Sequence, residues 1–153
     1  MNQQPFNLPY NKLKIRLIND KYEVFDVLRK KYVILSPEEE VRQQFLHFLI
    51  KYKSYPEGLL AVEYSLKVNQ LKRRADLVAF DKFGHPLLIV ECKAPRVKMT
   101  QKVFDQIAHY NMSLKVDYLI VTNGLQHFCC QLNHEKNNYI FLNEIPDYHQ
   151  IMS

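Results

Sequence analysis

The sequence has few of the residues and runs that mark a secreted, membrane-spanning or multidomain protein. It has three cysteines in 153 residues and no Cys-x-x-Cys pair, so neither a disulfide framework nor a cysteine-based zinc site is expected. Glycine occurs three times, and no Gly/Ser linker or internal repeat divides the chain. No apolar run reaches the roughly 18 residues of a membrane span, and residues 1–10 lack a signal-peptide core. We therefore expect one cytoplasmic domain without membrane contact.

The charge balance is mildly basic. The formal net charge is +5 and the sequence pI is about 9.0. An excess of lysine and arginine fits a partner that carries phosphates, although many basic domains bind no nucleic acid. The charge is thus compatible with a DNA or RNA partner, and the motifs must decide.

Hydrophobic periodicity predicts an α/β or α+β domain with a mixed central sheet. We expect an N-terminal arm and short strands over 1–35, with a loose arm over 1–12, then a core over 36–143 and a tail over 144–153. Ser36 and Pro37 start a helix that should end near Lys53, and a second helix is predicted over 100–114. Strands are predicted at 13–18, 22–27, 32–35, 59–68, 74–81, 86–93, 116–122, 125–132 and 139–142.

Two acids and a lysine stand at the ends of neighbouring predicted strands. Asp76 lies in the first strand of a predicted hairpin, while Glu91 and Lys93 end the second and point to one side of it. Burying an acid and an amine beside a core is costly, and a metal ion bound by the acid would offset that cost. The alternatives are a salt bridge from Asp76 to Arg73 or Arg74, and an ion pair between Glu91 and Lys93.

These residues belong to a longer pattern, whose segments occur in one order and each lie on a suitable element: Ser36–Gln43, Arg73–Asp76, Val90–Pro95, and then Gln106 with Tyr110. The pattern resembles the PD-(D/E)XK nuclease superfamily and, more narrowly, the N-terminal nuclease domain of type I restriction enzyme R subunits. Ala75 stands where the superfamily's name has proline, a mild departure. The resemblance implies a restriction-endonuclease-like fold, with a mixed sheet flanked by helices, and a metal-dependent DNA endonuclease.

The resemblance also implies roles for the charged residues. Asp76, Glu91 and the backbone carbonyl of Cys92 would hold Mg²⁺ (or Mn²⁺), an ion that takes oxygen ligands and keeps several waters. Lys93 would position or help deprotonate the attacking water.

The first helix should add one further carboxylate, from Glu38 or Glu39. At about 100° per residue, Glu38 lies roughly 60° from Val41 on the apolar stripe, and Glu39 lies roughly 160° from it. A capping box also accounts for Glu39. We therefore favour Glu38 as the metal ligand, with a first-turn glutamate that complements the helix dipole as the alternative.

The second helix and several basic residues complete the predicted site. Gln106 would orient water or phosphate, and Tyr110 is expected on the helix's apolar stripe, either beside the DNA or as an ordinary core aromatic. Basic residues near the site could contact phosphates or simply be solvated: Arg73, Arg74, Arg96 and Lys98 first, then Arg42, Lys72 and Lys102.

The predicted partners are DNA and proteins that supply what these residues lack. Type I R subunits join their nuclease domain to a helicase motor, but no Gly-x-x-x-x-Gly-Lys-(Ser/Thr) phosphate loop occurs here. We expect a separate helicase/translocase or specificity subunit, and weak sequence preference for the chain alone. The alternatives are a catalytically silent nucleic-acid- or protein-binding module with the same fold, and a protein that uses these charges only as structural ion pairs.

Overall fold

The structure, a computed structural model, describes residues 6–68 and 71–152. The side chains at positions 68, 71 and 73 lie outside that description. The predicted contact of Arg73 with DNA, or with Asp76, therefore concerns a side chain outside the described part.

The strands of the described residues form two sheets. A three-stranded antiparallel sheet comes first, with order β1-β2-β3. A six-stranded sheet follows with order β4-β5-β6-β7-β8-β9, in which only the β6–β7 pair is parallel. The strands are β1 Ile15–Ile18, β2 Lys21–Asp26, β3 Lys31–Ile34, β4 Leu60–Val68, β5 Leu71–Phe80, β6 Pro86–Cys92, β7 Tyr118–Thr122, β8 His127–Asn133 and β9 Asn138–Leu142. The predicted mixed sheet and the antiparallel β5–β6 hairpin are confirmed.

The described helices are α1 Pro37–Tyr52, α2 Gln101–Met112 and α3 Tyr148–Met152, with a short 3-10 turn at Glu57–Leu59. The start of α1 is as predicted: Ser36 caps it by accepting a hydrogen bond from the Glu39 N–H at 3.0 Å. None of the described helices is both long and apolar enough to cross a membrane.

The six-stranded sheet has a hydrophobic core on each face. The α1-side core joins α1 and α3 to one face, and the α2-side core joins α2 to the other. Consecutive residues of β6 alternate between them: Ile89 lies in the α2-side core and Val90 in the α1-side core. Coverage of both faces explains the continuous apolar runs of β6 and β7.

The predicted apolar stripe of α2 is wrong in one respect. Tyr110 is 56% exposed, whereas Phe104, Ala108 and Asn111 are buried. The helical period of 3.6 residues allows a buried stripe through Tyr110 or one through Phe104. Aromatic rings from β8 and β9 pack against Phe104, so its side of α2 is the buried one. Phe104 packs against three of them, Phe128, Tyr139 and Phe141.

Residues 6–12 are not the loose arm that composition predicted. Asn11 and Gln44 of α1 exchange two hydrogen bonds, at 3.1 and 2.8 Å, and both residues are buried. The ring of Phe6 lies over Gly124, so close that a Cβ there would stand 3.1 Å from it. Gly124 also has φ +87°, so any other residue would be strained as well as crowded.

Candidate active site

Asp76 and Glu91 face each other where the β5–β6 pairing ends. Leu77 pairs with Val90 in this antiparallel ladder, so the next position sets Asp76 opposite Glu91. Burial, and then the Asp76 carboxylate, raise the pKa of Glu91 to about 8, although Lys93 opposes the shift. The hairpin register thus brings together the two acids that the sequence separates.

Both carboxylate oxygens of Asp76 have protein partners. Oδ2 accepts a hydrogen bond from the Cys92 N–H at 2.7 Å, and Oδ1 lies 3.4 Å from Nη1 of Arg42. Burial raises the pKa of Asp76, while the Cys92 amide and the Arg42 guanidinium counteract that effect. The expected alternative partner Arg74 instead pairs with Glu63, at 3.0 Å.

Arg42 belongs to a buried charge network that joins α1 to the β2–β3 turn. Its guanidinium makes two hydrogen bonds with the Glu39 carboxylate, which also accepts from Gln43 at 2.9 Å. Arg29, in the turn, lies 3.3 Å from Glu39 and 2.6 Å from Asp26. The network therefore fixes the guanidinium that contacts Asp76.

The two first-turn acids of α1 are placed differently from the helical-wheel prediction. Glu39, expected far from the apolar stripe, is buried, and Glu38 is exposed. The β2–β3 turn covers the Glu39 side of α1, which one helix's periodicity cannot reveal. The reciprocal half of the capping box is replaced, since the Glu39 carboxylate bonds to Arg42 instead. Glu38 stays close enough to raise the pKa of Glu91.

Glu63 is a charged residue of the site that the sequence interpretation missed. The β4–β5 ladder pairs Val62 with Leu77 and Tyr64 with Ala75, which leaves Glu63 level with Asp76 at a break in the pairing. Its φ is +51°, an uncommon conformation for a residue with a Cβ. Such strain often occurs at functional sites. The available signal was an acid between two apolar residues of a strand.

The carboxylate of Glu63 gathers three guanidinium groups: Arg74 at 3.0 Å, Arg29 at 3.3 Å and Arg42 at 3.5 Å. Its negative charge also contributes to the raised pKa of Asp76. Glu63 therefore links the buried network to the exposed arginine of β5.

Lys93 follows directly after β6 and is held by its backbone. Its N–H donates to the Thr122 carbonyl at 2.8 Å, which extends the β6–β7 pairing past Cys92. Its charge favours the ionised forms of Asp76 and Glu91, so it lies near both. Within the described chain it forms no ion pair with Glu91 inside 4.0 Å. The simple strand-end pair is thus not formed.

The side chain of Cys92 lies in the α1-side core, while the adjacent Glu91 points to the other side of β6. Burial raises the pKa of the Cys92 thiol well above its usual value. The role of its backbone carbonyl as a metal ligand stays a prediction. The other two cysteines, Cys129 and Cys130, are also free and buried.

The remaining predicted residues are dispersed over the surface. Gln106 is exposed, and no hydrogen bond among the described residues joins it to Asp76, Glu91 or Lys93. It lies about 200° around α2 from the buried Phe104, so it points away from the sheet. The basic side chains of Arg74, Arg96 and Lys98 are exposed.

The donor set fits a cation that takes oxygen ligands. Asp76 and Glu91 are adjacent, and Glu38 adds negative charge near them. Among the described residues, no three Asp, Glu, His or Cys side chains converge to hold a metal ion. Two carboxylates with water are nevertheless a typical protein contribution to a magnesium site.

Replacing Glu91 with glutamine should stabilise the metal-free protein at alkaline pH. The folded-state pKa of about 8 exceeds the ordinary 4.5, so folding stability falls as pH rises between these values. Glutamine cannot ionise and should remove that loss. We expect a melting temperature about 3 °C or more above wild type at pH 8.5 in EDTA, and a smaller difference at pH 5.5. An unchanged melting temperature at pH 8.5 would contradict the raised pKa.

A family model matches most of this chain. Residues 37–146 match the family described as type I restriction enzyme R protein N terminus (HSDR_N). The chain belongs to this family, as the motif segments predicted.

Two relatives extend the comparison. An uncharacterized protein, L3 of Acanthamoeba polyphaga mimivirus, is 31% identical over 126 residues, which cover 77% of this chain and 17% of that protein. A solved fragment assigned to an HsdR subunit of a type I restriction enzyme from Vibrio vulnificus YJ016 superposes with a TM-score of 0.54 at 17% identity. The match covers 77% of this chain and 25% of that one, and it shows the same fold.

Proposed function

We propose that this domain is a divalent-metal-dependent endonuclease that hydrolyses DNA phosphodiester bonds. The observation that carries the proposal is the pairing of Asp76 with Glu91 beside Lys93. Burial raises the pKa of both acids, so ionising the two together costs free energy. A bound cation would offset that cost. Membership of the R-protein N-terminal family supports a role on DNA.

Mg²⁺ or Mn²⁺ would be held by Asp76 and Glu91, with Glu38 and the Cys92 carbonyl as further oxygen donors. When bound, such an ion lowers the pKa of water and polarises a phosphate oxygen. The Cys92 amide and Arg42 fix the orientation of Asp76.

Lys93 would hold the attacking water and offset the negative charge that builds up on the phosphate. Its backbone N–H is anchored to β7, which fixes where the side chain begins. Gln106 points away from the sheet, so its role in orienting water or phosphate stays a prediction. Arg74, with Arg73, Arg96, Lys98 and Tyr110, would contact the DNA outside the reacting centre.

We infer that a separate helicase/translocase or specificity subunit brings this domain to DNA. Membership of the R-protein N-terminal family supports that inference.

A second candidate function is a catalytically silent binding module. It is favoured by one observation: both oxygens of Asp76 are already bonded, to Cys92 and Arg42, as a structural carboxylate would be.

Cleavage assays separate the two functions. Supercoiled plasmid, linear duplex and single-stranded DNA should be cut with Mg²⁺ or Mn²⁺ and remain intact in EDTA. Lys93→Ala should lower the rate about 100-fold, the range expected for a group that assists proton transfer. Lys82→Ala, in the exposed β5–β6 turn at the far end of the hairpin, is the matched control and should cleave normally.

Two results would contradict the proposal. One is cleavage by Lys93→Ala at the wild-type rate, which would show that the cutting does not depend on the proposed site. The other is no cleavage by the wild type together with equal DNA binding by all three proteins, which is what the silent binding module predicts.

A further inference from the structure

Two neighbouring surface concavities lie next to chain segments that carry the proposed site. They measure about 340 and 490 Å³ and share Pro95 and Leu125 as lining residues, and together they are called the groove. Pro37, just before Glu38, and Ala94, just after Lys93, line its near end. The near end of the groove therefore lies next to the chain segments that carry Glu38 and Lys93.

The floor of the groove is fixed by the turn between β7 and β8. The buried Asn123 donates from Nδ2 to the Val97 carbonyl at 2.8 Å, and its Oδ1 accepts from the N–H groups of Leu125 and Gln126 at 2.9 and 2.8 Å. One side chain thus ties this turn to the loop after β6. Phe6, packed on Gly124, closes one wall.

The groove combines an apolar lining with charged side chains of both signs. Phe6, Pro95 and Leu125 provide apolar surface. Arg96 and Lys98 line it as exposed cations, and Glu40 adds one carboxylate beside Arg96. Within the described chain, neither cation forms an ion pair. A partly apolar groove in which two cations outnumber one carboxylate suits a group that has a flat ring and a phosphate.

We propose that this groove receives one unpaired nucleotide of the DNA strand, next to the phosphate that is cut. The base would pack against Leu125 and Phe6, and its phosphate would lie near Arg96 and Lys98. Concavities of this size hold a small-molecule-sized group, and a base still paired in a duplex would have to leave the stack to enter. The preferred substrate is therefore single-stranded, frayed or flapped DNA.

The inference deepens the proposed function and rests on it for the cut, but binding alone can test it. We would titrate metal-free protein in EDTA with a fluorescent 12-nucleotide single strand and with the matching duplex. The wild type should bind the single strand about tenfold more tightly, because only an unpaired base reaches the apolar lining.

Two variants probe the two halves of the groove. Arg96→Gln should weaken single-strand binding several-fold and reduce the slope of log affinity against log salt by about 0.7, the value for one lost phosphate contact. Leu125→Asp should weaken single-strand binding and spare duplex binding. Lys82→Gln, an equal loss of charge far from the groove, should leave the single-strand preference intact. Arg96 is exposed on a loop, so its substitution does not threaten the fold.

Each outcome has a definite reading. Equal or tighter binding of the duplex, or an unchanged salt slope in Arg96→Gln, would overturn the groove proposal even if the protein cuts DNA. Single-strand preference that both groove variants reduce would support it, even if no cleavage is found and the nuclease proposal fails.

Discussion

Asp76→Asn is expected to abolish metal-dependent cleavage while the protein stays folded. Asparagine can still accept the Cys92 N–H but offers no negative charge to a cation. The loss of several kcal/mol of metal-assisted stabilisation corresponds to a rate at least about 1,000-fold lower. Calorimetric titration with Mn²⁺ should show the same loss as weaker binding.

The same substitution has a second signature at Glu91. Without the opposing Asp76 carboxylate, the pKa of Glu91 should fall below about 8, which NMR titration of the side-chain carboxyl would measure. Asp81→Asn, in the exposed β5–β6 turn, is the control and should retain activity. Wild-type Mn²⁺ affinity in Asp76→Asn would remove Asp76 from the proposed metal site.

Glu39→Ala should be the most destabilising of the single substitutions considered. Its carboxylate is buried and bonds to Arg42, Gln43 and Arg29, so its removal leaves Arg42 with only longer contacts at 3.4 and 3.5 Å. Breaking a buried pair by removing one partner costs about 3 kcal/mol or more. Urea unfolding should measure that loss. The Ser36 cap uses the backbone N–H of Glu39 and survives the substitution, so the loss can be assigned to the carboxylate.

The matched control is Glu135→Ala, in the exposed turn between β8 and β9. It should change the free energy of unfolding by less than about 0.5 kcal/mol, as for other surface substitutions. A Glu39→Ala loss no larger than that of the control would show that the network contributes no net stability. Glu39→Gln should fall between them, since it keeps an acceptor for Arg42.

The sequence was sufficient for most of the helices and strands and for the hairpin that contains Asp76 and Glu91. Local signals carry that information: the Ser36-Pro37 helix start, the continuous apolar run of β6 and the short turn that makes β5 and β6 a hairpin. Antiparallel register then decides which residues face each other.

The surroundings of the pair depend on contacts between distant segments. The residues around Glu39 do not indicate that the β2–β3 turn buries it. The residues around Tyr110 do not indicate that the side of α2 with Phe104, rather than the side with Tyr110, packs on the sheet. Glu63 can be recognised as a site residue only when the structure shows that it lies beside Asp76 in the neighbouring strand and has a positive φ. Local patterns therefore located the acids, and tertiary packing determined their partners.

The hydrogen bond from the Cys92 amide to Asp76 gives this site its own spectroscopic probe. An amide proton donated to a carboxylate at 2.7 Å senses every change in the charge of that group. In a ¹⁵N-labelled sample, its resonance should move when Asp76 gains a proton or a diamagnetic ion such as Mg²⁺. Metal occupancy of the site could then be followed at Cys92, the neighbour of Lys93, without an attached fluorophore or spin label and without DNA.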